Sequence, residues 1–139
     1  MDAFRETVMA TNGIVESIDR RVVRNMTKIE MDAYREPFKT PESRELTFIW
    51  VTQIPVDGKP ENMYNIVSNY SKWLQEADLP KLLLYFSPGA IVTPEVLEWS
   101  KANMKNLEVV DLGEGAHFLQ EDHPHEIGRN ISDWYRRIS

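Results

Sequence analysis

Lys81-Leu82-Leu83-Leu84-Tyr85-Phe86, closed by Ser87-Pro88-Gly89, is the stretch on which the fold turns. After the opening lysine it has no polar alternation, so it reads as a strand buried on both faces. Thr93-Pro94-Glu95 then starts a helix that the pattern carries to about residue 105. Leu107-Glu108-Val109-Val110-Asp111-Leu112 predicts a second strand, ended by Gly113-Glu114-Gly115. A last helix is expected from near Pro124 to the C-terminus, with Ile127, Ile131, Trp134 and Tyr135 turned inward. Strand, helix, strand, helix means two parallel strands joined by a right-handed crossover. Two parallel strands are not a viable sheet alone, so this region reads as the edge of a larger one.

Upstream the pattern is helical, and the character changes near Asp78-Leu79-Pro80. A short helix is expected from residue 1 to about residue 10, broken at Asn12-Gly13. Thr27-Lys28-Ile29-Glu30 fits a capping box and opens a helix that must stop before Pro37. Thr40-Pro41-Glu42 is a further start, with proline at the first helical position and an acid in the positive first turn. Gly58-Lys59-Pro60 precedes a longer helix, on which Met63, Ile66, Val67, Tyr70, Trp73 and Leu74 form one apolar stripe.

The totals describe one ordinary folded domain: 139 residues, 42% hydrophobic and 27% charged. A net charge of -6, with no Lys/Arg cluster, argues against a nucleic-acid partner. No cysteine is present, which removes disulfides and thiolate chemistry. No apolar run approaches the roughly 20 residues that cross a bilayer. The first residues lack the basic start and apolar stretch of a signal peptide, so a cytoplasmic address is expected, with no membrane partner.

The residues closest to chemistry are Gly113-Glu114-Gly115-Ala116-His117-Phe118-Leu119-Gln120-Glu121-Asp122. They set His117 just past the C-terminal end of a parallel strand, the edge where ligands and catalytic groups gather in open α/β sheets. A histidine there is positioned by the strand and exchanges protons near neutral pH. Position alone leaves open the plainer alternative of a loop histidine that only caps or hydrogen-bonds. His123 and His125, flanking Pro124, read as surface or capping residues. The three histidines form no metal set, because no ligand spacing accompanies them.

The segment Gly-x-Gly-Ala-His-Phe-Leu-Gln-Glu-Asp, followed by Pro124 and Glu126-Ile127-Gly128, resembles the histidine segment of haloalkane dehalogenases. It is similar also to that of Renilla-type luciferases. Glu30-Met31-Asp32-Ala33-Tyr34-Arg35-Glu36-Pro37-Phe38 resembles the family's cap-domain helix. Trp50 with Gln53-Ile54-Pro55, then Gly58-Lys59-Pro60, resembles the next cap helix and its exit loop. Leu79-Pro80-Lys81-Leu82-Leu83, leading to Pro88-Gly89, resembles the seventh strand and its pocket loop. The likeness runs from about residue 22 to residue 139, in the family's order.

The resemblance implies a partial α/β-hydrolase fold: a helical cap region over residues 1–78, then the last two parallel strands and their helices over residues 79–139. It implies that His117 is the base activating water against an alkyl-enzyme ester. Phe118, Ala90, Ile91, Trp50 and Ile54 would line an apolar pocket for a small halogenated substrate, with no cofactor. Many relatives have proline after the cap tryptophan, where this chain has Val51, and residues 12–21 align poorly. No aspartate here stands in a nucleophile-elbow sequence, and the oxyanion and halide-binding segment His-Gly-Asn-Pro is absent. Residues 87–93 hold no acid to partner His117, which resembles the subgroup whose acid follows the sixth strand. The chain is therefore expected to be the C-terminal half of such a hydrolase and inactive alone. It would pair with a complementary N-terminal half or self-associate as an oligomer. Two alternatives are a fragment of a Renilla-luciferase-like oxygenase and a non-catalytic self-associating module.

Overall fold

The computed structural model describes residues 2–139 and contains seven helices and one two-stranded parallel sheet among them, besides short 3-10 turns. The helices are α1 (Asp2–Thr11), α2 (Lys28–Arg35), α3 (Glu45–Thr52) and α4 (Glu61–Glu76), then α5 (Pro94–Asn103), α6 (Leu119–Asp122) and α7 (Pro124–Ile138). The strands are β1 (Lys81–Pro88) and β2 (Leu107–Gly115). The chain forms two compact units. One takes Asn25–Asn69 with the chain up to Arg20, and the other takes Tyr70–Ser139 with Arg21–Arg24. The boundary expected at residue 78 falls inside the second unit, because the last turns of α4 group with the sheet. No helix is long and apolar enough to cross a membrane among the described residues.

In the first unit, Val8, Val15, Ile18 and Met31 are buried together with Asn12. Asn12 takes a left-handed φ of 55° just past α1, a conformation that asparagine tolerates better than most residues. Two arginines tie the helix ends. Arg44 donates to the carbonyls of Met9 (2.6 Å) and Ala10 (3.2 Å) at the end of α1, and to that of Phe38 (3.0 Å). Those carbonyls have no intrahelical donor, so a cation there satisfies them and meets the negative end of the helix. Arg35 makes a two-pronged pair with Glu16 (2.8 and 2.7 Å) and a further bond to Asp32 at 3.1 Å.

The capping box at α2 is complete: Thr27 Oγ1 accepts from the Glu30 N–H (3.3 Å), and Glu30 Oε2 accepts from the Thr27 N–H (2.7 Å). The expected start at Thr40-Pro41 differs. Glu42–Arg44 is a 3-10 turn with Pro41 at its cap, and the α-helix begins only at Glu45. Ser43 closes the turn back on Thr40 through both backbone and side chain, which uses the donors a regular first turn would have offered.

In the second unit, β1 and β2 pair from Lys81↔Leu107 to Tyr85↔Asp111, then shift to Ser87↔Glu114. Two β2 residues, Leu112 and Gly113, thus oppose the single Phe86, and Gly113 takes a φ of 90°. This is a β-bulge, which bends the strand end next to the loop that follows. β2 therefore continues through Gly113-Glu114-Gly115 rather than ending there, as the sequence reading had it. Lys81, the one polar residue of the apolar run, binds the carbonyls of Ala77 (2.7 Å), Leu79 (3.0 Å) and Lys105 (2.8 Å).

Burial is less than the apolar sequence implied. Only Phe86 of β1 is buried, at 2% exposure, while Lys81 to Tyr85 stay half-buried. On α7, Ile131 and Tyr135 are exposed instead of inward, and on α4 the stripe residues Ile66, Tyr70 and Trp73 are exposed. The periodicity is that of buried faces, but two strands and their helices supply too little surface to cover them.

At the sheet's end the packing is close: a Cβ built on Gly115 would lie 2.8 Å from Phe86 Cβ and 2.8 Å from Leu119 Cδ2. Gly115→Ala is expected to cost about 1–3 kcal/mol, read as a lower urea midpoint. An unchanged midpoint would mean that Phe86 and Leu119 step aside freely. In the first unit, a hydrogen bond from Arg35 holds Glu16 below its ordinary 4.5. Bonds from Lys28 and then Arg35 hold Asp32 below 3.8. Both groups favour the folded state when charged, so their contribution is complete above those ordinary values and is lost as pH falls through the lowered folded ones. Melting temperature should drop between neutral pH and about pH 3, and drop less in Glu16→Gln. Parallel acid profiles for the two proteins would remove Glu16 from the account.

Candidate active site: the His117 loop

The bulge at Gly113 and the Phe86–Gly115 contact aim the end of β2 into residues 116–118, and there the backbone is tied on two sides. The Gly89 N–H donates to the Gly115 carbonyl (3.2 Å) and the Ala90 N–H to the Ala116 carbonyl (3.0 Å), so the loop after β1 runs beside it. The N–H groups of His117 (3.0 Å) and Phe118 (3.2 Å) both donate to the Arg21 carbonyl. The Arg21 segment is itself held: Asp122 accepts from the backbone N–H groups of Val23 (3.0 Å) and Arg24 (2.9 Å), and Arg24 Nη2 pairs with Glu121 at 2.9 Å. Sequence reasoning gave residues 21–24 no part in the site. No local signal marks a contact between residues some 98 positions apart in the chain.

His117 is half-buried, with its ring edge-on to that of Phe118 at 4.9 Å and 84°. Neither imidazole nitrogen hydrogen-bonds to a described residue. A cleft of about 60 Å3 opens beside it, lined among others by Phe86, Gly89, Ala90, Ile91 and Ala116. Ala90, Ile91, Phe118 and His117 thus come together at one end of the sheet. Ile91 is 69% exposed at the cleft's margin. Trp50 on α3 and Ile54 just past it lie in the first unit, at 63% and 50% exposure, so neither belongs to that unit's core.

Two polar side chains line the cleft among the described residues, Tyr85 and His117. Tyr85, also on the lining, donates its hydroxyl to Asp111 Oδ2 at 3.0 Å, and that bond holds the phenol above its ordinary range. Glu114, three residues before His117, points to solvent as an exposed side chain. His125 is exposed, as expected of a surface histidine, and His123 holds a capping position, closing α6 and opening α7, while its ring is half-buried and bonded to the strand end. A histidine with a pinned backbone and unengaged ring nitrogens beside an apolar cleft can take a proton from a water molecule there.

No family model matches the chain. Among curated proteins it is 38% identical over 132 residues to a haloalkane dehalogenase of Mesorhizobium japonicum, covering 94% of this chain and 43% of that protein. With a haloalkane dehalogenase of Sphingobium indicum it shares 37% identity over 138 residues, 98% of this chain and 46% of the relative. Among solved structures, the haloalkane dehalogenase DatA from Agrobacterium tumefaciens superposes with a TM-score of 0.88 and 32% identity, over 97% of this chain and 47% of that one. The chain spans less than half the length of each of these proteins. By sequence and by fold, this chain is a homologue of part of the haloalkane dehalogenases, carrying a partial α/β-hydrolase fold.

Proposed function

We propose that the chain is the C-terminal half of a haloalkane dehalogenase-type hydrolase, with residues 1–78 as cap region and residues 79–139 as the end of the core. His117 is its water-activating base. The observation that carries this reading is the state of His117: backbone fixed to Arg21, imidazole nitrogens unengaged, at the C-terminal end of a parallel strand beside an apolar cleft. In this reaction a carboxylate from the rest of the enzyme displaces halide from an alkyl carbon and forms an ester. His117 then takes a proton from water, the hydroxide attacks the ester carbonyl, and the bond from carbonyl carbon to alkoxy oxygen breaks. The alkoxide leaves as the alcohol by taking the proton from His117, and the carboxylic acid left behind releases its proton to water, which restores the carboxylate.

Within this reading Phe118, Ala90 and Ile91 shape the pocket next to the base. The exposed apolar side chains of α3, α4 and α7 support it, because so much uncovered apolar surface is uncommon on a self-sufficient domain. The nucleophile, the halide-binding groups and the acid partnering His117 belong to the half outside this chain. Self-association would cover the same surface when that half is missing.

The test is halide release from a bromoalkane by the chain alone, and by the chain joined to the N-terminal half of a relative. The chain alone is expected to be silent and the joined protein active. His117→Ala in the joined protein should stop turnover by about 10³-fold or more. Because the base acts only on the second step, that variant should still release a single burst of halide and carry the alkyl group as a mass adduct. Halide release by the chain alone, or multiple turnovers in His117→Ala, would overturn the assignment.

A further inference from the structure

The pattern of donors at the end of β2 gives one histidine a task that its place in the sequence does not suggest. Three successive carbonyls lead into the His117 loop, and each has a donor. Gly115 accepts from the Gly89 N–H and Ala116 from the Ala90 N–H, both in the backbone. Glu114 accepts from a side chain: His123 Nε2 lies 2.6 Å from its oxygen. A carbonyl only accepts, so Nε2 carries the proton and is the donor.

The ring is placed for this from both sides. Its centroid lies 5.0 Å from that of Phe86, with the planes tilted by 32°. Phe86 is the buried residue that packs against Gly115. Through the backbone, the His123 N–H donates to the Leu119 carbonyl (2.9 Å) and the His123 carbonyl accepts from the Ile127 N–H (3.1 Å). His123 is therefore the joint between α6 and α7, and its side chain reaches back nine positions to the strand from which His117 departs.

We propose that His123 is a positioning residue for His117: its bond to the Glu114 carbonyl, made over the Phe86 ring, fixes the exit of β2 and with it the direction of the His117 imidazole. This rests on the reading of His117 as the base. Loss of the bond frees the first of three carbonyl anchors while leaving the other two and the sheet in place. The His117 ring then samples directions unsuited to water activation, and a misplacement of about 1 Å at a reacting group costs up to about 100-fold in rate.

The discriminating variants are His123→Phe, which keeps a ring on Phe86 without a donor, and His123→Gln, which keeps a donor at a similar reach without the ring. In the chain joined to a relative's N-terminal half, His123→Phe should lower kcat roughly 10- to 100-fold. KM should fall along with kcat, leaving kcat/KM and the initial halide burst unchanged, since only the water step is affected. His123→Gln should restore most of the rate although it loses the ring contact. In the 139-residue chain, hydrogen exchange at the His117 and Phe118 amides should speed up about tenfold in His123→Phe and return in His123→Gln. Full turnover in His123→Phe, or a loss that follows its melting temperature and is not rescued by glutamine, would overturn the proposal. His117→Ala in the same assay separates the two claims. Continued turnover there removes the base assignment, whereas a stalled His117→Ala beside a fully active His123→Phe removes only the positioning role.

Discussion

The close approach of Phe86 to Gly115 is the contact that the second unit is arranged around. A Cβ on residue 115 would come within 2.8 Å of the Phe86 side chain and of Leu119 Cδ2, so the C-terminal ends of β1 and β2 close this tightly only around a glycine. The bulge at Leu112-Gly113 lets the strand arrive there after its register has shifted. Beside the same ring, with centroids 5.0 Å apart, lies His123. One buried aromatic therefore sets the spacing of the strands, the point where the loop leaves, and the seat of the side chain that binds the Glu114 carbonyl. Close-packed interiors transmit such constraints because they have little room to relax.

The first unit is held differently. Its buried residues are few and mostly small, and two guanidinium groups do much of the joining. Arg44 gathers carbonyls from the end of α1 and from the turn before it, while Arg35 bridges Glu16 and Asp32. Such charge-assisted bonds are directional and fix helix ends without a large core. They leave Leu46, Trp50 and Ile54 outside the unit's own interior. Side chains of that kind at a surface are what a larger enclosure would use, and within this chain they stay exposed.

Where local chemistry decides local shape, the sequence was legible. The Thr27 to Glu30 capping box, the Thr93-Pro94 helix start and the stop before Pro37 follow from donors and acceptors a few residues apart. The parallel pairing of β1 and β2 followed from their separation by one helix. The errors fall where a distant partner or a competing local bond intervened. Thr40 and Ser43 closed a 3-10 turn on themselves and delayed α3. β2 ran on through its glycines because β1 continued to offer it partners. Ile131 and Tyr135 lie exposed because apolar periodicity reports which face seeks cover, not whether cover is present.

The site divides along the same line. His117 after a strand, among glycines, was visible in the chain, and so was the family likeness carried by the residues around it. Local pattern marks a strand end because strand, glycine and loop are adjacent in sequence. The tertiary structure alone decided what surrounds that histidine. Arg21 reaches His117 and Phe118 across more than ninety positions, and Asp122 holds the Arg21 segment in place. His123, which reads as a surface or capping residue, turns back onto Phe86 and the end of β2. A sequence lists the donors and acceptors it has, but which pairs form depends on where the folded chain brings them within reach.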